Sequence, residues 1–237
     1  MDLQNKETSV INCFFCMKHS HSNGCVLAEE TCSLLDGAKI RKEYAPGHEI
    51  FREGDTCKGV YCVESGLIGV RKSDSKGESV LVRLAFPGDT LGYRPILADE
   101  PHRGGAEVLK RSVVCFIKKS VVRELISNNP ALGLEFLQRA ARTLGEAEEK
   151  YFENVTLSIR ARLCHILLIF KDRYGKTDSS GGISFELPIS RQDMAAAIGA
   201  RPESMSRMIK KMHDDGVAIF SGRAVHIPHI DRLIDEL

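Results

Sequence analysis

The stretch Leu187-Pro188-Ile189-Ser190-Arg191-Gln192-Asp193-Met194-Ala195-Ala196-Ala197-Ile198-Gly199-Ala200-Arg201-Pro202-Glu203-Ser204-Met205-Ser206-Arg207-Met208-Ile209-Lys210-Lys211-Met212 decides the fold of the last third of the chain. Ser190 is placed to cap a helix, with Asp193 three residues on in a capping-box arrangement. Gly199 can take the left-handed conformation that ends that helix. Pro202 suits the first turn of a second helix, which runs to about Asp215 before Gly216 stops it. Two short helices joined by a tight Gly turn make a helix-turn-helix.

On the second helix Met205, Ile209 and Met212 share an apolar stripe, while Glu203, Ser206, Arg207 and Lys210 follow helical spacing on the other side. Arg can bond guanine O6 and N7 bidentately, and Glu can accept from cytosine N4, so this helix carries the chemistry to read base edges. Lys210 and Lys211 suit phosphate. Beyond it, Val217–Phe220, Ser221-Gly222 and Arg223–Ile227 form a hairpin wing. The alternative, a surface helix whose charges are only solvated, does not account for the cap, the Gly turn and the wing together.

Upstream, Arg160–Tyr174 reads as a helix and 175–182 as a polar loop. Between Ala131 and Leu157 there is no Pro, and Leu137, Leu144 and Tyr151 recur every seven residues with Ala140, Ala141, Ala147 and Val155 between them. That pattern describes a long helix with a pairing seam and predicts a homodimer. From Ala45 to Ile117 glycines punctuate short β-rich segments, such as Gly59–Val63 and Ser79–Leu84. Turn signals roughly 7 to 12 residues apart predict an antiparallel barrel or jelly roll. Asp74-Ser75-Lys76-Gly77 reads as a hairpin loop. The expected organisation is a cysteine-rich segment and sensory β-barrel over 1–130, a dimerisation helix over 131–157, and a winged helix-turn-helix over 158–237. The fold class is α+β.

Composition bounds the rest. The 237 residues are 43% hydrophobic and 27% charged, with a net charge of +1. These are ordinary globular values. Residues 158–237 carry 12 Lys and Arg against 10 Asp and Glu, a tilt too small to identify nucleic-acid binding without the motif. The longest apolar run, Leu163–Phe170, is broken by His165 and reads as core helix, so no membrane span is expected. The first residues lack a basic and apolar leader, and a cytoplasmic location is expected. No H-E-x-x-H pair, P-loop or nucleophile elbow is present, and the chain is not expected to be an enzyme.

Cysteine is the unusual residue: eight in all, with Cys13, Cys16, Cys25 and Cys32 in the first 32 positions. In a reducing compartment such a cluster points to metal or redox chemistry rather than a disulfide scaffold. Zinc on three cysteines with His19 or His21, and a thiol–disulfide switch among Cys13, Cys16 and Cys25, are both open on the residues alone. Cys32, Cys57, Cys62 and Cys164 are read as packing residues.

The chain resembles the CRP/FNR family of bacterial regulators over nearly its whole length. The barrel markers are Pro46-Gly47-His48-Glu49-Ile50-Phe51-Arg52-Glu53-Gly54-Asp55, Glu64-Ser65-Gly66, and Phe86-Pro87-Gly88-Asp89-Thr90-Leu91-Gly92. Glu203-Ser204-Met205-Ser206-Arg207 resembles the E-x-x-S-R signature of the fumarate-and-nitrate-reduction branch. The cyclic-AMP branch has Gly at Ser206, a ribose-binding Glu at Tyr93, and an Arg-Ser/Thr pair where this chain has Arg103-Gly104-Gly105. Cyclic AMP is therefore not the expected effector.

The resemblance implies a [4Fe–4S] cluster, because oxygen-sensing members hold one on three N-terminal cysteines and a fourth in the barrel. Cys115, in Val113-Val114-Cys115, matches the fourth. Cys13, Cys16 and Cys25 match the others, although the interval from Cys16 to Cys25 holds eight residues where the oxygen sensors have about five. The resemblance further implies double-stranded DNA with an inverted repeat near TTGAT-N4-ATCAA, and RNA polymerase as a partner. Oxygen sensors of this family commonly carry an acidic residue on the dimer seam, and here that position is Ala147. A regulator without iron, responding to thiol redox or a small ligand, and a cyclic-nucleotide-binding module are the competing expectations.

Overall fold

The computed structural model describes residues 35–237. These divide into two compact units, one built from residues up to 70 together with 84–140, the other from 71–83 and 141–237.

The first unit is organised on an antiparallel sheet. Its strands are β1 (Ile40–Tyr44), β2 (Glu49–Phe51), β3 (Gly59–Ser73), β4 (Ser79–Ala85), β5 (Thr90–Leu91) and β6 (Gly105–Lys118), except that the hairpin residues 71–83 at the end of β3 and the start of β4 belong to the second unit. The order is β1-β6-β3-β4, with β2 on β6 and β5 on β3. Helices α1 (Tyr93–Ala98), α2 (Lys119–Asn128) and the start of α3 (Pro130–Thr156) cover one face.

Strand parity sorts the side chains into two cores. Tyr61 and Val63 of β3 join Phe51, Leu91 and Val114 in the barrel interior. Val60 and Ile117 point the other way and pack against Tyr93, Val122, Leu132 and Phe136 of the helices. Each such side chain contributes about 1.5–3 kcal/mol when fully buried.

The sequence reading ends a strand near Val63, yet β3 runs unbroken to Ser73. Gly66 makes this possible. It holds φ +97 inside the strand, and a Cβ there would overlap Ser112 Oγ and Arg111 O of β6. Leu67 N instead donates to Ser112 Oγ at 3.0 Å, a local irregularity that only Gly tolerates. The hairpin after β3 follows expectation: Asp74 Oδ1 accepts from Lys76 N and Glu78 N, and Gly77 sits at φ +84.

The second unit contains the remainder of α3, then α4 (Ile159–Tyr174), β7 (Lys176–Thr177), β8 (Ile183–Glu186), α5 (Arg191–Ala197), α6 (Pro202–Asp214), β9 (Ile219–Ser221), β10 (Ala224–Ile227) and α7 (Ile230–Ile234). The strands form a second antiparallel sheet, β7-β8-β10-β9. Among the described residues no helix is long and apolar enough to cross a membrane.

Candidate nucleic-acid interface and thiol cavity

Helix α6 is presented by α5 and by the sheet behind it. Ser190 caps α5, its Oγ accepting from Asp193 N at 3.0 Å and donating to Asp193 Oδ2 at 2.9 Å. The turn between the helices is fixed from outside. Arg162 of α4 donates to Ile198 O at 2.6 Å and to Asn154 Oδ1 at 2.7 Å. Gly199 there takes φ +62, and a Cβ would lie 2.9 Å from Asn154 Oδ1. Pro202 opens α6, and Gly216 follows it at φ +65. Arg160 bonds both carboxylate oxygens of Glu236 and reaches Asp215 just past α6, each at 2.6 Å. Those carboxylates raise the Arg160 pKa, the Glu236 hydrogen bond most of all.

Met205, Ile209 and Met212 are buried, which turns the opposite face of α6 outward. Glu203, Ser206, Arg207, Lys210 and Lys211 are all exposed on it. Arg207 Nη2 reaches Ser204 Oγ at 3.4 Å, a contact weak enough to exchange for a base edge. Behind α6, β9 and β10 form the expected wing around Gly222. Phe220 N donates to His213 Nδ1 at 3.2 Å and ties the wing to the end of α6.

The cysteines divide by surroundings. Cys13, Cys16, Cys25 and Cys32, with His19 and His21, lie outside the described residues. Cys164 is fully buried on α4, and desolvation pushes its thiol up to about 11, as befits packing. Cys57, just before β3, donates to Gly59 O and is likewise raised by burial.

Cys115 is 1% exposed on β6, where its register partner on β1 is Arg41. Its thiol donates to Glu64 Oε2 at 3.6 Å. Arg41 binds that carboxylate through two bonds, at 2.7 and 2.8 Å, and holds the Glu64 carboxyl below its usual range.

Cys115 and Ile117 on β6 share a face with Val60 and Cys62 on β3, and together they line a cavity closed by α2 and α3. Leu35, at the start of the described chain, lines it too. Parity therefore brings Cys62, read from the sequence as packing, to the same space as Cys115. The signal that could have found it is the unbroken strand through Gly66. Cys62 Sγ lies 3.7 Å from Thr90 Oγ1, and Arg139 Nη1 donates to that hydroxyl at 3.3 Å. Burial raises the Cys62 thiol pKa. No group of three or more His, Cys, Asp or Glu placed to hold a metal occurs among the described residues.

Residues 41–129 match the model of a cyclic nucleotide-binding domain, and 161–236 match that of a Crp-like helix-turn-helix domain. The chain is 24% identical over 233 residues to the regulatory protein HlyX of Actinobacillus pleuropneumoniae, covering 96% of each. It is 25% identical over 197 residues to an anaerobic regulatory protein of Bacillus subtilis, covering 83% of this chain and 82% of that one. The structure of FixK2 from Bradyrhizobium japonicum superposes with a TM-score of 0.70 at 24% identity, over 83% of this chain and 96% of that one. With the sheet domain, the helix-turn-helix and its outward-facing second helix in this order, the chain belongs to the CRP/FNR family of DNA-binding transcription regulators.

Proposed function

We propose that the chain works as a homodimer whose binding to an inverted repeat responds to oxygen or redox state through a [4Fe–4S] cluster on Cys13, Cys16, Cys25 and Cys115. The observation that carries this reading is the position of Cys115. It is a buried thiol facing a cavity that Leu35 also lines, ten residues after Cys25. Ten residues of chain span at most about 35 Å, so the N-terminal cysteines are within reach of Cys115. The donor set fits: thiolates are soft anionic ligands, and three from the N-terminal segment with one from the barrel complete a four-thiolate site. When bound, the cluster would supply an oxidant-sensitive link between the segment and β6.

The chain's own residues carry the rest. In the cofactor-free chain Glu64, paired with Arg41, accepts the Cys115 S–H, a bond that ligation of that sulfur would give up. Leu132 and Phe136 of α3 pack on the sheet bearing Cys115, so a change at that thiol acts on the helix proposed to form the dimer. Along α3, Leu134, Leu137, Leu144, Tyr151, Phe152 and Val155 are all more than half exposed, an apolar face that a second copy would cover. Tyr93 is buried against Phe136, with ring centroids 6.1 Å apart. That placement supports an effector other than cyclic AMP. The similarity to anaerobic regulatory proteins supports an oxygen-linked role, and RNA polymerase is the proposed partner on DNA.

Anaerobic isolation tests the reading. The protein should be brown, with about four iron and four sulfide per subunit. Serine at Cys13, Cys16, Cys25 or Cys115 should abolish the chromophore, whereas serine at Cys57 or Cys164 should spare it. Stoichiometric zinc without sulfide would overturn the cluster and direct attention to His19 and His21.

A further inference from the structure

The last turn of α3 makes two kinds of contact. Tyr151 and Val155 are exposed on the apolar face that a second copy would cover. Asn154, in the same turn, is half-buried against the helix-turn-helix of its own chain. Its amide lies flat on Gly199: Oδ1, Cγ and Nδ2 are 2.9, 3.1 and 3.1 Å from the point where a Cβ would stand. Only a residue without a side chain lets the two approach so closely.

A single nitrogen closes this contact. Arg162 Nη1 donates to Asn154 Oδ1 at 2.7 Å and to Ile198 O at 2.6 Å, which uses both of its hydrogens. Ile198 ends α5, where the last carbonyls lack helical partners and a cation is favoured. Arg162 Nε is buried and has no hydrogen-bond partner among the described residues. The bonds that place the guanidinium thus run to two oxygens, one on the pairing helix and one on the turn before α6.

We infer that Asn154 is a positioning residue for DNA recognition, which carries the placement of the pairing seam to the turn that aims α6. The inference rests on the homodimer and inverted-repeat part of the function proposed above and is independent of the cluster. In a dimer on an inverted repeat, the distance between the two reading helices must match the half-site spacing. The seam fixes the two copies of α3 relative to each other. A firm contact from Asn154 to the turn converts that fixed seam into a fixed spacing. Without it each α6 keeps its own base-reading side chains, but the distance between the two is less sharply set. A dimer loosened in this way gains less from the right spacer and loses less on a wrong one.

Duplexes carrying TTGAT-N4-ATCAA, the same repeat with the spacer one base pair shorter or longer, and random sequence test this on the full chain. Wild type should prefer the N4 spacer. Asn154→Ala should reduce that preference severalfold, while affinity for random duplex and sedimentation as a dimer stay unchanged. Asn154→Asp keeps an acceptor for Arg162 in nearly the same volume and should restore the preference. If Asn154→Ala does not fold, Asn154→Ser, which keeps a shorter acceptor, reads the same ratio. An undiminished spacer preference, or a loss by the same factor on every duplex, would overturn the inference. So would an equal loss of preference in Thr156→Ala, which trims an exposed side chain of the same turn. A wild-type protein with no spacer preference would overturn the inverted-repeat reading itself.

Discussion

Asp193 Oδ1 lies 2.8 Å from Arg71 Nη1, joining the first helix of the helix-turn-helix to the end of β3 through two side chains that are 15% and 21% exposed. The same carboxylate accepts from Ser190 Oγ, so one residue serves both the cap of α5 and the contact with the hairpin strand. The two partners should then differ in what their loss costs. Arg71→Ala removes one partly buried ion pair, worth about 1 kcal/mol. Asp193→Ala also strips the carboxylate from the first turn of α5 and removes the Ser190 contact, so about 2 kcal/mol is expected. Urea unfolding of both single mutants and the double mutant measures this. A double mutant as costly as the two singles combined would mean that the pair is uncoupled.

On DNA, the exposed face of α6 separates two kinds of contact. Arg207→Ala should cost about 1–3 kcal/mol on the specific site and relax the preference at one guanine position. Lys210→Ala and Lys211→Ala should weaken specific and random DNA alike, each lowering the salt slope by about one. Fluorescence anisotropy on both duplexes at several salt concentrations reads both effects. Equal loss for Arg207→Ala on the two duplexes would place Arg207 on phosphate.

Much of this domain is legible in the sequence because its determinants are local. Ser190 caps within three residues, Gly199 and Gly216 turn where they stand, and Met205, Ile209 and Met212 declare their face by helical spacing. The contacts that fix the turn are not local. Arg162 meets Ile198 O across 36 positions, and Arg71 meets Asp193 across 122, and no pattern of nearby residues announces either. In the barrel the difficulty is parity. Gly66 reads as a strand end, and ending β3 there severs Cys62 from the alternation that aligns it with Val60. Once the strand is continuous, Cys62 must share the cavity with Cys115. The expected ligands before Leu35 lie outside the described residues, and their reading rests on spacing and resemblance.

Assembly follows from α3. Leu137, Leu144 and Tyr151 are 58%, 61% and 73% exposed, and Ala147 lies between the last two on the same stripe. A small neutral residue there adds no repulsion to the seam, so cofactor-free protein should sediment as a dimer at micromolar concentration. Ala147→Asp would set two like charges across it, which at an effective dielectric near 20 costs about 1–4 kcal/mol. Sedimentation equilibrium should show that variant shifted towards monomer. A wild-type apoprotein that is already monomeric would contradict the assignment of this face.

His102 gives the first unit a pH dependence of defined sign. It is 5% exposed, stacks on Phe51 with ring centroids 3.8 Å apart, and its Nε2 has no hydrogen-bond partner. Burial holds its pKa below the ordinary 6.5, opposed only in part by Asp55. Above pH 6.5 the ring is neutral both folded and unfolded, and no proton is linked to folding. As the pH falls below that value the unfolded chain takes up a proton that the folded chain refuses. Stability should therefore drop, by at most about 1.4 kcal/mol per pH unit, until the folded-state pKa is reached. His102→Phe keeps a ring against Phe51 and removes the orphaned nitrogen. Its unfolding midpoint should change less than that of the wild type between pH 7.5 and about 5.5, where the histidine penalty accrues. Parallel pH profiles for the two proteins would mean that His102 opens to solvent before it titrates.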